Sequence, residues 1–244
     1  MAALWKLVQR TRVVHARGTP NCGKSVLAGL LKSHVELVAP NVKVYLFNWI
    51  PSQLEKNQLD EGSQFYQLLD YLTHQPNPLG SNWLYQQNTL LIIDEAQLSY
   101  EYTNLWNDLI KRQSGHRYGP FIILFSSYGS AADSPISADP LKRPTPVEFS
   151  DEQRVSLRPL FRNNPNISLF FTHEEFVDAV NRTCETYPGQ PFIPSPELRE
   201  HIWEICNGHP GVTVSVVLIL IEADVSLLIH VSRFELTFYF RIRN

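Results

Sequence analysis

The run Gly18-Thr19-Pro20-Asn21-Cys22-Gly23-Lys24-Ser25 constrains this chain more than any other stretch. It fits Gly-x-x-x-x-Gly-Lys-Ser/Thr. Val13-Val14-His15-Ala16-Arg17 ahead of it reads as a short strand. Ser25-Val26-Leu27-Ala28-Gly29-Leu30-Leu31-Lys32 behind it reads as an amphipathic helix. Strand, glycine-rich loop and helix form the unit in which such a loop turns backbone N–H groups onto an anion. Gly18 and Gly23 are expected to supply positive φ, since glycine alone takes that region freely. The helix start adds its positive end.

The residue types then point to a nucleoside triphosphate. Lys24 brings a mobile cation to the β- and γ-phosphates. The Ser25 hydroxyl is a candidate magnesium ligand. Gly18, Thr19, Pro20, Asn21, Cys22, Gly23, Lys24, Ser25 and Val26 are the candidate nucleotide contacts. The competing reading is an ordinary glycine-containing turn with a solvated lysine.

Apolar runs and turn signals alternate through the first 130 residues or so. Residues 43–49 read as a second strand. Residues 63–72 read as a helix with Phe65, Leu68, Leu69 and Leu72 on one side, and 74–81 as a loop. Thr89-Leu90-Leu91-Ile92-Ile93 is wholly apolar after its first residue, as in a strand covered on both faces. Residues 102–113 read as a helix with Leu105, Trp106, Leu109 and Ile110 inward, and 120–125 as another buried strand. Strands alternating with helices predict an α/β fold with a doubly wound parallel sheet.

Residues 129–146, rich in Ser, Ala, Asp and Pro, are expected to form a loop or hinge. Val155-Ser156-Leu157-Arg158-Pro159 reads as the last core strand and its exit. Residues 173–183 and 196–206 read as helices of a small C-terminal lid. The expected division is a core over 1–160, a helical lid over 161–211 and a divergent tail over 212–244. In the tail, Phe234, Leu236, Phe238, Phe240 and Ile242 alternate with Glu235, Thr237, Tyr239, Arg241 and Arg243, a strand-like period.

Hydrolysis of a bound triphosphate needs a metal clamp and a group that orients water. Leu90-Leu91-Ile92-Ile93-Asp94-Glu95-Ala96-Gln97 offers both, at the carboxyl end of a buried strand where ligands bind in such sheets. Asp94 is the candidate magnesium holder, and Glu95 the base that polarises water. The plainer reading of Asp94-Glu95 is a helix N-cap followed by a first-turn acid. Ser126 or Ser127 is expected to present a hydroxyl near the γ-phosphate if its strand lies between the first and third. A serine-rich turn is the alternative. Arg158 and Arg162 are candidate arginine fingers, against ordinary surface arginines.

Composition narrows the class. Hydrophobic residues make 43% of the chain and charged residues 18%, which describes a globular protein rather than a disordered one. A net charge of -3 gives no electrostatic reason to expect nucleic acid or membrane as partner. Cys22, Cys184 and Cys206 show neither metal-ligand spacing nor a disulfide framework, which fits a reducing compartment. Residues 1–10 lack the apolar core of a signal peptide, and the apolar run 212–221 is too short to span a bilayer. A location inside a cell, in cytoplasm or nucleus, is the expectation. No Asn-Lys-x-Asp guanine reader occurs, so ATP is favoured as the nucleotide. No Leu-Ser-Gly-Gly-Gln run occurs, which argues against a transporter-type ATPase.

Several stretches together resemble the P-loop NTPase module of Crinkler effector-type proteins. They are residues 18–25 and 89–100, Leu105-Trp106-Asn107-Asp108-Leu109-Ile110-Lys111, and residues 121–130 ending Ser126-Ser127-Tyr128-Gly129-Ser130. Residues 154–159, Glu174-Glu175-Phe176 and Asn207-Gly208-His209-Pro210-Gly211 complete them. The likeness covers about residues 10–212. It implies a branch of the STAND and AAA+ type ATPases, a P-loop core with a small helical lid, and action as a conformational switch. It also implies that Gly208-His209-Pro210 corresponds to a lid motif whose proline, Pro210, touches adenine. A helix stop followed by a Pro-started helix would use the same residues. Delivery into a host cell is implied by the resemblance alone. After Gly211 the sequence departs from the family, which continues there as a lid helix.

Three functions follow as expectations. The first is a magnesium-dependent ATPase serving as switch or effector module. The second is a nucleotide-binding signalling module with little turnover, working through a protein partner or self-association. The third is a P-loop small-molecule kinase.

Overall fold

The computed structural model describes residues 1–49, 87–100, 105–113, 119–127, 147–158, 167–186 and 193–222. By contacts the chain divides into two units, Met1–Leu169 and Phe170–Asn244.

The first unit is built on five parallel strands: β1 (Val13–Gly18), β2 (Lys43–Asn48), β3 (Thr89–Asp94), β4 (Phe121–Ser127) and β5 (Arg154–Ser156). Their order across the sheet is β2-β3-β4-β1-β5. The central strands are buried along nearly their whole length because apolar layers cover both faces. On one face lie helices α1 (Ala2–Thr11) and α2 (Lys24–Val38). Leu4, Val8, Leu27, Leu31 and Val35 from these helices pack with Val14, Ala16, Leu90, Ile92, Ile123 and Phe125 from the strands. On the other face, Leu105, Trp106, Leu109 and Ile110 pack with Val13, Leu91, Ile93, Ile122 and Leu124. These four belong to a π-helical segment, Leu105–Ile110, continued by the α-turn Lys111–Gln113; together they form α3. The alternation along each strand therefore sorts side chains into two cores, which makes this a doubly wound α/β sheet.

α1 was not foreseen from the sequence. Leu4, Trp5, Leu7 and Val8 are buried while Lys6, Gln9 and Arg10 are not, so a helical period was present in the sequence. The Trp5 ring meets Phe121 edge-on, with centroids 5.2 Å apart, and seats the helix on the sheet.

The second unit contains α4 (His173–Thr186), α5 (Pro196–Cys206) and α6 (Pro210–Glu222) around Phe176, Val180, Ile202, Val216, Val217 and Leu220. Ser195 caps α5 by accepting the Leu198 N–H at 3.2 Å, and Pro196 takes the first turn, where a missing N–H is harmless. α5 ends in two left-handed residues, Asn207 (φ 46°) and Gly208 (φ 74°). A Cβ on Gly208 would sit 2.6 Å from the Phe171 carbonyl oxygen. The chain restarts at once, with Thr213 N–H donating to the His209 carbonyl and Pro210 opening α6. Asn207-Gly208-His209-Pro210 thus forms a helix stop and a Pro-started helix. Residues 212–222, expected to open a divergent tail, continue this helix instead. Thr213, Val216, Val217 and Leu220 from this stretch turn to the buried side of the helix.

Residues 63–72, 74–81, 129–146, Arg162 and the alternating pattern of 234–243 lie outside the described residues.

Candidate phosphate-binding site

β1 carries the chain to Gly18 at the carboxyl edge of the sheet, and α2 leaves from Lys24. The turn between them is made largely by backbone. Gly23 is left-handed (φ 98°) and is the N-cap of α2, its carbonyl accepting the Leu27 N–H at 2.9 Å. The second left-handed residue is Asn21 (φ 57°), not Gly18. Asparagine tolerates this region better than most side chains. Gly18 serves a different purpose, as the last β1 residue paired with β4. A Cβ there would lie 2.7 Å from Cys22 Sγ and 3.3 Å from Leu157 Cβ. Glycine at position 18 is therefore needed for close approach, while glycine at 23 is needed for the turn.

Lys24 is only 4% exposed, and its ammonium donates to the Thr19 carbonyl at 2.8 Å. The cation is thus folded back over the loop. Cys22 is buried under Gly18, with its thiol filling the space. Ser25 and Val26, on the first turn of α2, are exposed, Val26 to 67%.

β3 reaches the same edge one strand further on. β4 lies between β1 and β3, the arrangement under which its terminal serines were expected to matter. Gly18 pairs with Ser127, Ile93 with Leu124, and Asn48 with Asp94. The ends of β1, β4 and β3 therefore share one rim. Asp94 is 1% exposed; its Oδ1 accepts the Glu95 N–H at 3.0 Å. Glu95 is left-handed (φ 51°) and caps a short 3-10 helix, Ala96–Ser99. That conformation is uncommon for a residue with a Cβ, and such residues cluster at functional sites. The 3-10 helix is anchored from α3, where the Trp106 indole N–H donates to the Ser99 carbonyl at 2.8 Å.

One residue on this rim had no role in the sequence reading. Gln97 is 6% exposed, and both ends of its amide are used. Its Nε2 donates to the Glu95 carboxylate, and its Oε1 accepts the Ser127 N–H at 3.1 Å. The run Asp94-Glu95-Ala96-Gln97 was the only available signal, and it could not reveal a contact to residue 127.

Ser126 differs from its neighbour. Its hydroxyl bonds the His15 ring across the two strands, inside the sheet layer rather than at the rim. Burial, aided by Arg17 and Arg154, pulls His15 down to about 3, so the ring is neutral. Ser127 ends β4 on the rim, paired with Gly18. Arg158 is exposed just beyond β5, and its N–H donates to Ser156 Oγ at 3.4 Å. Pro210 belongs to the second unit, as the first residue of α6.

Among the described residues no group of three or more His, Cys, Asp or Glu side chains is arranged to hold a metal ion. A magnesium ion bound with a nucleotide does not require one. It takes one or two protein oxygens, with phosphate and water completing the shell. The buried Asp94 carboxylate and the exposed Ser25 hydroxyl suit that mode, and left-handed Gly23, with open space where a Cβ would stand, suits a polyphosphate lying against backbone. Among the described residues, no helix is long and apolar enough to cross a membrane.

No family model matches the chain, and no curated protein matches it. Among solved structures it is similar to domain III of the Thermotoga maritima replication initiation protein DnaA, at TM-score 0.48 and 16% identity over 95% of this chain and 85% of that one. It is also similar to a point mutant of Thermotoga maritima RuvB, at TM-score 0.46 and 15% identity over 88% of this chain and 59% of that one. Caenorhabditis elegans PCH-2 is similar at TM-score 0.45 and 15% identity, over 91% and 60%. All three are AAA+ P-loop ATPases. The chain spans less than two thirds of the RuvB and PCH-2 chains. At these TM-scores the likeness carries no argument about the site, which rests on its own residues.

Proposed function

We propose that this chain binds magnesium-ATP at the loop Gly18–Ser25 and hydrolyses it. The observation that carries the reading is the shared rim: a loop with a folded-back lysine after β1, an Asp-Glu pair after β3, and Ser127 ending the strand between them. In this reading backbone N–H groups of residues 18–25 cradle the phosphates, and Lys24 swings from the Thr19 carbonyl onto them. Ser25 and Asp94 hold the magnesium ion, which would neutralise charge developing on the phosphate oxygens. Glu95 accepts a proton from the attacking water. Ser127 senses the γ-phosphate, and Arg158 serves as an arginine finger.

The role of conformational switch or effector module follows from the motif resemblance to Crinkler-type proteins and belongs to the same proposal. So does ATP as the nucleotide. The test is phosphate release by the purified chain with ATP, with and without magnesium. Turnover that requires magnesium is expected. Labelled phosphate accumulating on a small-molecule acceptor would replace hydrolysis with kinase chemistry, and ATP binding without turnover would replace it with a passive nucleotide-binding module.

A further inference from the structure

We propose that Gln97 is a positioning residue that fixes the Glu95 carboxylate and ties it to the end of β4. The proposal rests on the ATPase reading above and adds how its base is held and regulated. Position 97 is buried between two partners of opposite hydrogen-bonding character. The Ser127 N–H can only donate, so the amide oxygen must face it. An ionised Glu95 carboxylate can only accept, so the amide nitrogen must face it. The two partners together allow one orientation of the amide. An acid at 97 would satisfy Ser127 but set two carboxylates against each other, and an apolar side chain would satisfy neither.

The bridge also explains how a left-handed Glu95 is tolerated. Its backbone N–H is held by Asp94, its carboxylate by Gln97, and the short helix after it by Trp106. A carboxylate on a free side chain samples several rotamers, whereas general-base catalysis requires one. Gln97 supplies that restriction, and it does so from Ser127, which pairs with Gly18 at the start of the phosphate loop. A shift of the β4 end on nucleotide binding is therefore transmitted to the base through one side chain. The path from loop to base is Gly18, Ser127, Gln97, Glu95.

Gln97→Met keeps the length of the side chain and removes both hydrogen bonds. In the nucleotide-free protein, hydrogen exchange of the Ser127 amide should accelerate at least several-fold. With magnesium-ATP, kcat should fall by roughly 10- to 100-fold, the range for a misplaced catalytic group. KM and the affinity for a non-hydrolysable ATP analogue should stay within about twofold, because Gln97 touches no phosphate in this scheme. Gln97→Glu is the second variant and decides the matter if the methionine variant does not fold. It keeps the acceptor for Ser127, so exchange there should stay slow, while kcat falls as far as for methionine. Unchanged exchange at Ser127 in Gln97→Met would overturn the bridge. Wild-type kcat in either folded variant, or a raised KM with kcat intact, would overturn the positioning role and leave the ATPase reading standing. A wild-type chain that turns over no ATP would instead remove the reading on which this one rests.

Discussion

After β1 the chain turns with backbone and glycine; after β3 it turns with side chains. The loop Gly18–Ser25 needs little beyond itself, since its two special residues are left-handed at 21 and 23 and its lysine bonds a carbonyl within the loop. The acid turn needs partners from other elements. Asp94 holds the Glu95 N–H, Gln97 reaches β4, and Trp106 reaches back from α3. A loop closed by its own backbone can be written as a short motif. A turn closed by neighbours depends on the surrounding fold, and only its acids show in the sequence.

The largest effect is expected on the loop side. Lys24→Ala should reduce ATP binding below detection in calorimetric titration while the fold is kept; unchanged affinity would refute the loop assignment. On the acid side, Glu95→Gln should retain ATP affinity and slow phosphate release by about 100- to 10,000-fold, the worth of general-base catalysis. Measuring binding and single-turnover release on both variants separates the two turns, one losing affinity and the other losing rate.

Packing separates them further. Gly18→Ala places a methyl 2.7 Å from Cys22 Sγ and should destabilise the chain by about 1–3 kcal/mol in urea melts. Adding Cys22→Ala should recover part of that loss, because the thiol is the nearest obstacle. Failure of the second change to help would point to Leu157, 3.3 Å away, as the real limit.

The smallest effect concerns the bond between β1 and β4 behind the rim. His15 bonds Ser126 as a neutral ring, with a folded pKa of about 3 against 6.5 for the free side chain. Below pH 6.5 the unfolded chain takes up a proton that the folded chain refuses. The contribution of His15 is thus full above pH 6.5 and is lost as pH falls toward 3, on the order of 1 kcal/mol per pH unit. His15→Gln should flatten this slope in stability measured from pH 7 to 5. An unaltered slope would assign it to other groups.

The same contrast explains what could be read from the sequence. The strands around Val14, Ile92 and Ile123 were legible because sheets covered on both faces write continuous apolar runs. The phosphate loop was legible because its glycine and lysine spacing is fixed by local geometry. Gln97 was not legible, since its partner at position 127 is set by β4 lying beside β3. Gly18 was assigned the wrong reason, because close approach to Cys22 and Leu157 is a tertiary fact whereas positive φ is a local one. Residues 212–222 were read apart from α6 because an almost uniformly apolar run carries little helical period of its own, and the start at Pro210 settles it.

In the proposed function the loop after β1 and the acids after β3 face one triphosphate and one metal ion. The most direct measurement replaces magnesium with paramagnetic manganese beside a non-hydrolysable ATP analogue and records amide resonances. Strong broadening is expected at both Ser25 and Glu95, with Lys43 at the opposite end of β2 unaffected. Broadening at Ser25 without Glu95, or at neither, would contradict it.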